Sequence, residues 1–303
     1  MRKIAVTRKD TFTGHRDSVY ALEHAPEQHI FFSGSGDGMV VKWDLQQPDN
    51  GELIAKLPNS VYAIHHLADS ELLAVGHNYE GIHFINWRTR QEVASLKFTD
   101  ASIFDIRSYA NLLIAGTSDG YLHFITIDKL KTIHKEKVAA QNVRCIDINT
   151  KNGEFAVGTS DNTILIFDLE TLEKKHEIEG HTNSVFSVRY TPDGTTLMSA
   201  GRDAHLKIWD TKAGYLAIDD IVAHMYAINH IAFSPDAKHF VTCSMDKTIK
   251  LWDTSRLKLL KVIDKARHNG HRSSVNKLLW TAHDNTIVSA SDDRTISLWD
   301  IEF

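Results

Sequence analysis

Four sets of residues in this chain carry the groups of a serine hydrolase: His15, Ser33 and Asp37; His181, Ser199 and Asp203; His224, Thr242 and Asp246; His271, Ser289 and Asp293. Hydrolysis needs one such triad, placed beside an oxyanion hole. Here the constellation recurs four times. The hydroxyl always stands four residues before the Asp, the His always 22 before it, and a Trp always six beyond it: Trp43, Trp209, Trp252 and Trp299. Repetition at fixed spacing is the mark of a structural device, so these sets are read as structural and no catalytic residue is assigned.

Other groups that could do chemistry are weaker. Of 18 histidines, only His65 and His66 are adjacent, and neighbours on a strand point to opposite faces, a poor chelate. With no His-x-His or Cys-x-x-Cys spacing, no metal site and no cofactor are expected. Gly34-Ser-Gly-Asp-Gly38 lacks the lysine pattern of a phosphate loop and leads into a strand-like run; it reads as a turn with Gly at positive φ. Arg256, Lys258, Lys261, Lys265, Arg267 and Arg272 surround the longest gap between repeats, 47 residues, and read as a solvated outer strand and loop.

The elements that position these groups are repeats. Asp-x5-Trp-Asp occurs at Asp37, Asp203, Asp246 and Asp293, with Phe167 replacing Trp after Asp161. A weaker copy runs from Asp119 to Ile125, and the weakest lies around Glu80 to Trp87, its register uncertain by one residue. Between marks, apolar residues alternate and are broken by turns such as Thr191-Pro-Asp-Gly194, the pattern of strand, turn and strand. Each unit of 38 to 47 residues therefore holds about four short antiparallel strands.

Composition agrees with a folded, non-membrane chain. Of 303 residues, 42% are hydrophobic and 24% charged, as in ordinary globular domains. No apolar run approaches the roughly 20 residues of a membrane-crossing helix, and the first ten residues hold no apolar core of a signal peptide. A formal charge of −5 argues against general nucleic-acid affinity, which needs a basic face. The only cysteines, Cys145 and Cys243, suggest no bridge or metal site; a reducing, cytoplasmic compartment is expected.

Gly-His, Asp and Trp-Asp at a period of 40 to 45 residues resemble the WD-repeat family of β-propellers, and the resemblance covers the whole chain. Seven units imply an all-β, seven-bladed propeller of four-stranded antiparallel blades forming one domain, 1–303. One blade cannot bury both faces alone, so blades stack and hide each other's apolar sides. The last unit ends soon after Asp300, whereas Lys3 to about residue 12 precede the first Gly-His; this N-terminal strand is expected to join the last blade and close the ring.

The resemblance implies that each triad is a network inside a blade: Trp N–H to hydroxyl, hydroxyl to imidazole, imidazole to Asp. Blades with Ala115 or Val157 at the hydroxyl place, and the blade near Glu80, are expected to rely on apolar packing and to be locally weaker. It also implies a loop face around a central channel. Five residues beyond the His place stand Tyr20, Tyr62, Phe104, Arg144, Phe186, Asn229 and Asn276; immediately before the Asp stand Tyr79, Arg202, Met245 and Asp292 among others. Aromatics and Arg are enriched at binding hot spots. The expected function is a non-catalytic scaffold holding a protein or peptide, with Arg144 and Arg202 receiving an acidic group. The alternatives are a structural subunit bound through its sides and, behind it, a propeller enzyme.

Overall fold

The computed structural model describes residues 4–48, 50–68 and 70–303. They build seven antiparallel sheets of four strands each. Six sheets use consecutive strands, within 19–56, 64–96, 103–137, 143–178, 185–222 and 228–263; we call these blades 1 to 6. The seventh is composite. Val275–Trp280, Ile287–Ser291 and Ile296–Glu302 are joined by the N-terminal strand Ala5–Phe12, which pairs with Ile296–Glu302 from Ala5↔Glu302 to Phe12↔Ile296. The closing strand anticipated from the chain's two ends is therefore present; Lys3, its first anticipated residue, lies outside the described residues. The register shifts between Arg8 and Asp10, a bulge that twists this strand.

Burial within each blade follows the sequence pattern. The second strands are near-continuous apolar runs, such as Ile30–Ser35 and Glu154–Thr159, and every residue in these two is buried. The fourth strands are largely exposed, and in Lys174–Ile178 only Ile178 is buried. After each motif Asp the backbone turns through positive φ: Gly38 at 79°, Asn162 at 71°, Ala204 at 66°, Lys247 at 72° and Arg294 at 71°. Of the glycines in 34–38 only Gly38 needs that conformation. The Asp carboxylate holds these turns by accepting a backbone N–H two residues on, as Asp37 does from Met39 at 2.8 Å and Asp293 from Thr295 at 3.1 Å.

Two compact units partition the chain: Met1–Leu73 with Ile85–Gln91 and Asn229–Phe303, and Ala74–Phe84 with Glu92–Ile228. The first is centred on Phe12, Phe31, Trp43, Val288 and Leu298, and on Val241, Leu251, Trp280 and Trp299. The second is centred on Ile166, Val188, Leu197 and Trp209, and on Phe124, Phe155 and Phe167. Among the described residues no helix is long and apolar enough to cross a membrane. The basic stretch forms the outer strand Lys258–Ile263 and one helical turn, Lys265–His268, capped by Asp264.

Candidate functional site

In three blades the hydroxyl, imidazole, carboxylate and indole form one hydrogen-bonded chain. Ser33 Oγ accepts from Trp43 Nε1 at 2.7 Å and bonds His15 Nε2 at 2.7 Å, while His15 Nδ1 lies 3.2 Å from Asp37. The corresponding distances are 2.8, 2.7 and 2.8 Å for Trp209, Ser199, His181 and Asp203, and 2.8, 2.8 and 3.0 Å for Trp299, Ser289, His271 and Asp293. In blade 6, Trp252 Nε1 donates to Thr242 Oγ1 at 3.0 Å; His224 is buried, and Asp246 bonds its own turn through Thr248 N at 2.9 Å.

All four hydroxyl residues are fully buried. Each serine oxygen is held between an indole N–H and an imidazole, with no solvent-facing side from which a substrate could approach. The groups are satisfied in place, as buried polar groups must be. Burial would raise the Asp203 pKa, but the His181 hydrogen bond and charge, with backbone amides, hold it down at about 2. Burial lowers the His15 pKa, against the opposing pull of Asp37.

Blades 3 and 4 keep the Asp without the imidazole. Ala115 and Val157 are fully buried at the hydroxyl place. Asp161 instead accepts the backbone N–H groups of Ala140 and Gln141 directly, at 2.5 and 3.1 Å. In blade 2 the hydrogen bonds settle the register. Trp87 N donates to Glu71 O as Leu45 N donates to His29 O, so Trp87 stands two places past the Trp position and Ile85 fills it. The same register moves Tyr79 onto the Asp place, one beyond where the sequence reading put it, and sets Asn78 before it.

The residues expected on the loop face fall into two groups. In the first unit the Tyr20 and Tyr62 rings pack at 4.8 Å. Asn229 Nδ2 donates to Val275 O at 2.8 Å and to Ser274 Oγ at 3.0 Å, and Asn276 Nδ2 to Val19 O at 3.1 Å and Asp292 at 2.7 Å. These amides are spent on the backbone of the next sheet, so Asn229 and Asn276 join blades. Met245 is 52% exposed. In the second unit the Arg144 guanidinium lies 4.6 Å from the Phe104 ring and 5.4 Å from that of Phe186, and its Nε donates to Ser160 Oγ at 2.8 Å. Arg202 is exposed.

Carboxylates on the innermost strands escaped the sequence reading. Asp105 Oδ2 accepts Ile146 N at 2.8 Å, and Asp147 accepts Tyr190 N and Arg189 Nη1, both at 2.7 Å. The available signal was an Asp inside an apolar strand, Ile103-Phe-Asp-Ile106, where a buried charge requires a partner.

The WD domain, G-beta repeat family matches residues 7–44, 172–210, 218–253 and 263–300. Those four segments hold the four Trp–hydroxyl pairs. The periodic tryptophan protein 2 homolog of Mus musculus is 21% identical over 222 residues, covering 67% of this chain and 24% of that protein. WD repeat-containing protein 1 of Bos taurus is 26% identical over 212 residues, covering 66% of this chain and 35% of that protein. The chain thus matches about a quarter to a third of the length of these relatives. The crystal structure of the WD40 β-propeller domain of Doa1 superposes with a TM-score of 0.86 at 17% identity, over 98% of this chain and 97% of that one. The repeats, the seven four-stranded sheets and these matches establish that the chain belongs to the WD-repeat family and folds as a seven-bladed β-propeller.

Proposed function

We propose that the chain is a non-catalytic scaffold that docks a protein or peptide segment bearing an acidic group on the strand ends around Phe104, Arg144 and Phe186. The observation that carries this reading is the Arg144 guanidinium set between two half-buried aromatic rings. Stacking holds the charge in a fixed orientation, and a planar guanidinium suits a carboxylate. Exposed Arg202 adds positive charge in the same unit, while the sealed serines argue against hydrolysis. Two buried cysteines outside any disulfide among the described residues, Cys145 and Cys243, fit the reducing, cytoplasmic setting we assign.

A second reading has its own observation. The outer strand of blade 5, Leu216–Val222, exposes Leu216, Ile218 and Val222 at 67, 54 and 71%. Such an edge suits a structural subunit bound from the side.

Calorimetry on a captured partner separates the two. Under the first reading, Phe104→Ala or Arg144→Glu weakens binding by about thirty- to a thousand-fold, the range of a central hot spot, and Ile218→Lys binds normally. If only Ile218→Lys weakens binding, the side reading replaces it.

A further inference from the structure

We propose that His77, Glu80 and His83 form a binding site for a divalent transition-metal ion of the zinc type, with Glu92 as its outer carboxylate. His77 ends the strand Leu72–His77, Glu80 lies in the following turn, and His83 is on the return strand Gly81–Asn86. His77 Nδ1 is 3.1 Å from His83 Nε2 and 3.5 Å from Glu80 Oε2, and the three ligand atoms lie within 4.8 Å of one another. Ligands about 2.0–2.1 Å from a tetrahedral zinc ion stand about 3.3 Å apart, so these separations surround a point such an ion can occupy.

Charge and tautomer point the same way. His83 Nδ1 donates to Glu92 Oε2 at 2.9 Å, which turns the Nε2 lone pair toward His77. A carboxylate behind a metal-binding imidazole plays this orienting part in zinc sites. Without an ion, His77 Nδ1–H donates to His83 Nε2; metal entry releases that one proton to solvent. Among the described residues neither Glu80 nor Glu92 has a Lys or Arg ion-pair partner, so two carboxylates flank two imidazoles with no fixed cation between them. Two nitrogens and one oxygen suit zinc over magnesium or calcium, which take oxygen ligands. Glu80, 56% exposed on its side chain, marks the approach from solvent, and water takes the fourth position.

The test uses the full chain, stripped with chelator and titrated calorimetrically with zinc chloride, with cobalt(II) absorption as a second readout. One zinc per chain is expected, and tetrahedral cobalt gives strong visible bands. Glu92→Gln weakens zinc binding by about 10- to 100-fold, Glu80→Gln weakens it at least comparably, and His83→Gln abolishes the cobalt bands. Glu80 and Glu92 are exposed enough for their variants to fold, which circular dichroism verifies. Exposed His176→Gln is the control and binds as wild type. Absence of zinc binding, or wild-type affinity in both glutamate variants, overturns the site.

Discussion

Asp105 and Ile146 bind one blade to the next: the carboxylate on the innermost strand of blade 3 accepts the backbone N–H of the innermost strand of blade 4 at 2.8 Å. In the other unit, His230 Nδ1 accepts Leu278 N at 3.4 Å in the same relation, from the place six beyond the repeat's His to the neighbouring strand. Bifurcation of roles is clearest at Asp105, whose other oxygen faces Arg107 at 3.2 Å while Arg107 Nε donates to Ile146 O. Blade stacking in this region thus uses directed hydrogen bonds as well as apolar burial.

Asp105→Ala leaves the buried Ile146 N–H without its acceptor and removes the carboxylate that faces Arg107. A loss of about 2–4 kcal/mol is expected. Asp105→Asn, which retains an acceptor oxygen, loses less. Urea unfolding at a shared slope compares them. Equal stability of wild type and Asp105→Ala would show that the carboxylate contributes nothing to stacking.

Ser199→Ala removes the group that joins His181 to Trp209 and costs about 1–3 kcal/mol; Trp209→Ala costs about 3–5 kcal/mol through the cavity it leaves. The Asp end adds a pH signature. The folded pKa of Asp203, about 2, lies below its ordinary 3.8. Its contribution is therefore present above pH 3.8 and is lost as pH falls toward 2. The stability difference between wild type and Asp203→Asn shrinks over that interval, measured by denaturant unfolding at pH 5, 3 and 2. A hydrolase activity that disappears in a folded Ser199→Ala protein would contradict the structural role.

The repeat architecture was legible because its marks are local. Six residues from Asp to Trp span one turn and one strand, so Asp203 and Trp209 read as one hairpin arm before any folding is considered. Blade 2 misled because Trp87 offers an aromatic two places beyond the Trp position that Ile85 fills, where a backbone bond to Glu71 is needed to count correctly. The loop-face positions were legible as positions, but not the destinations of their side chains. The Asn229 amide ends on Val275 O, 46 residues away in the next sheet, a contact created only by stacking. His77 and His83 likewise meet only when their hairpin closes.

The N-terminal strand is held twice. It pairs along Ile296–Glu302, and its last residue, Phe12, is 2% exposed with its ring stacked 5.0 Å from Trp43 of blade 1. Deleting residues 1–12 uncovers a sheet edge together with the apolar surface under Phe12, and a large fall in melting temperature or insoluble protein is expected. Phe12→Ala isolates the packing share, about 3–5 kcal/mol. Scanning calorimetry checks both, and a deletion protein that melts like wild type would show that this strand does not close the fold.

His123 is the group whose replacement should strengthen the protein. It is 3% exposed, and neither ring nitrogen has a hydrogen-bond partner among the described residues. Its surroundings are the Phe98 ring at 4.6 Å and that of Tyr121 at 6.1 Å, with Asp119 and Lys135 acting at longer range. Burial drives its pKa down to about 4 from an ordinary 6.5; Asp119 opposes the shift and Lys135 adds to it. A neutral imidazole without partners already costs desolvation, and protonating it in place costs more. Full stability is thus present above pH 6.5 and is lost as pH falls toward 4, because the unfolded chain takes up the proton first. The site tolerates an aliphatic side chain: His123 pairs across the sheet with Ala115, and in blade 4 the equivalent pair is Leu165 with Val157, both buried. His123→Leu should therefore raise stability by about 1–2 kcal/mol at pH 7. It should also reduce the decline between pH 6.5 and 4. Melting temperatures of the two proteins at pH 7, 5.5 and 4.5 decide the matter. A variant less stable at pH 7, with the wild-type pH slope retained, would mean that the His123 ring is hydrogen-bonded and that its titration lies elsewhere.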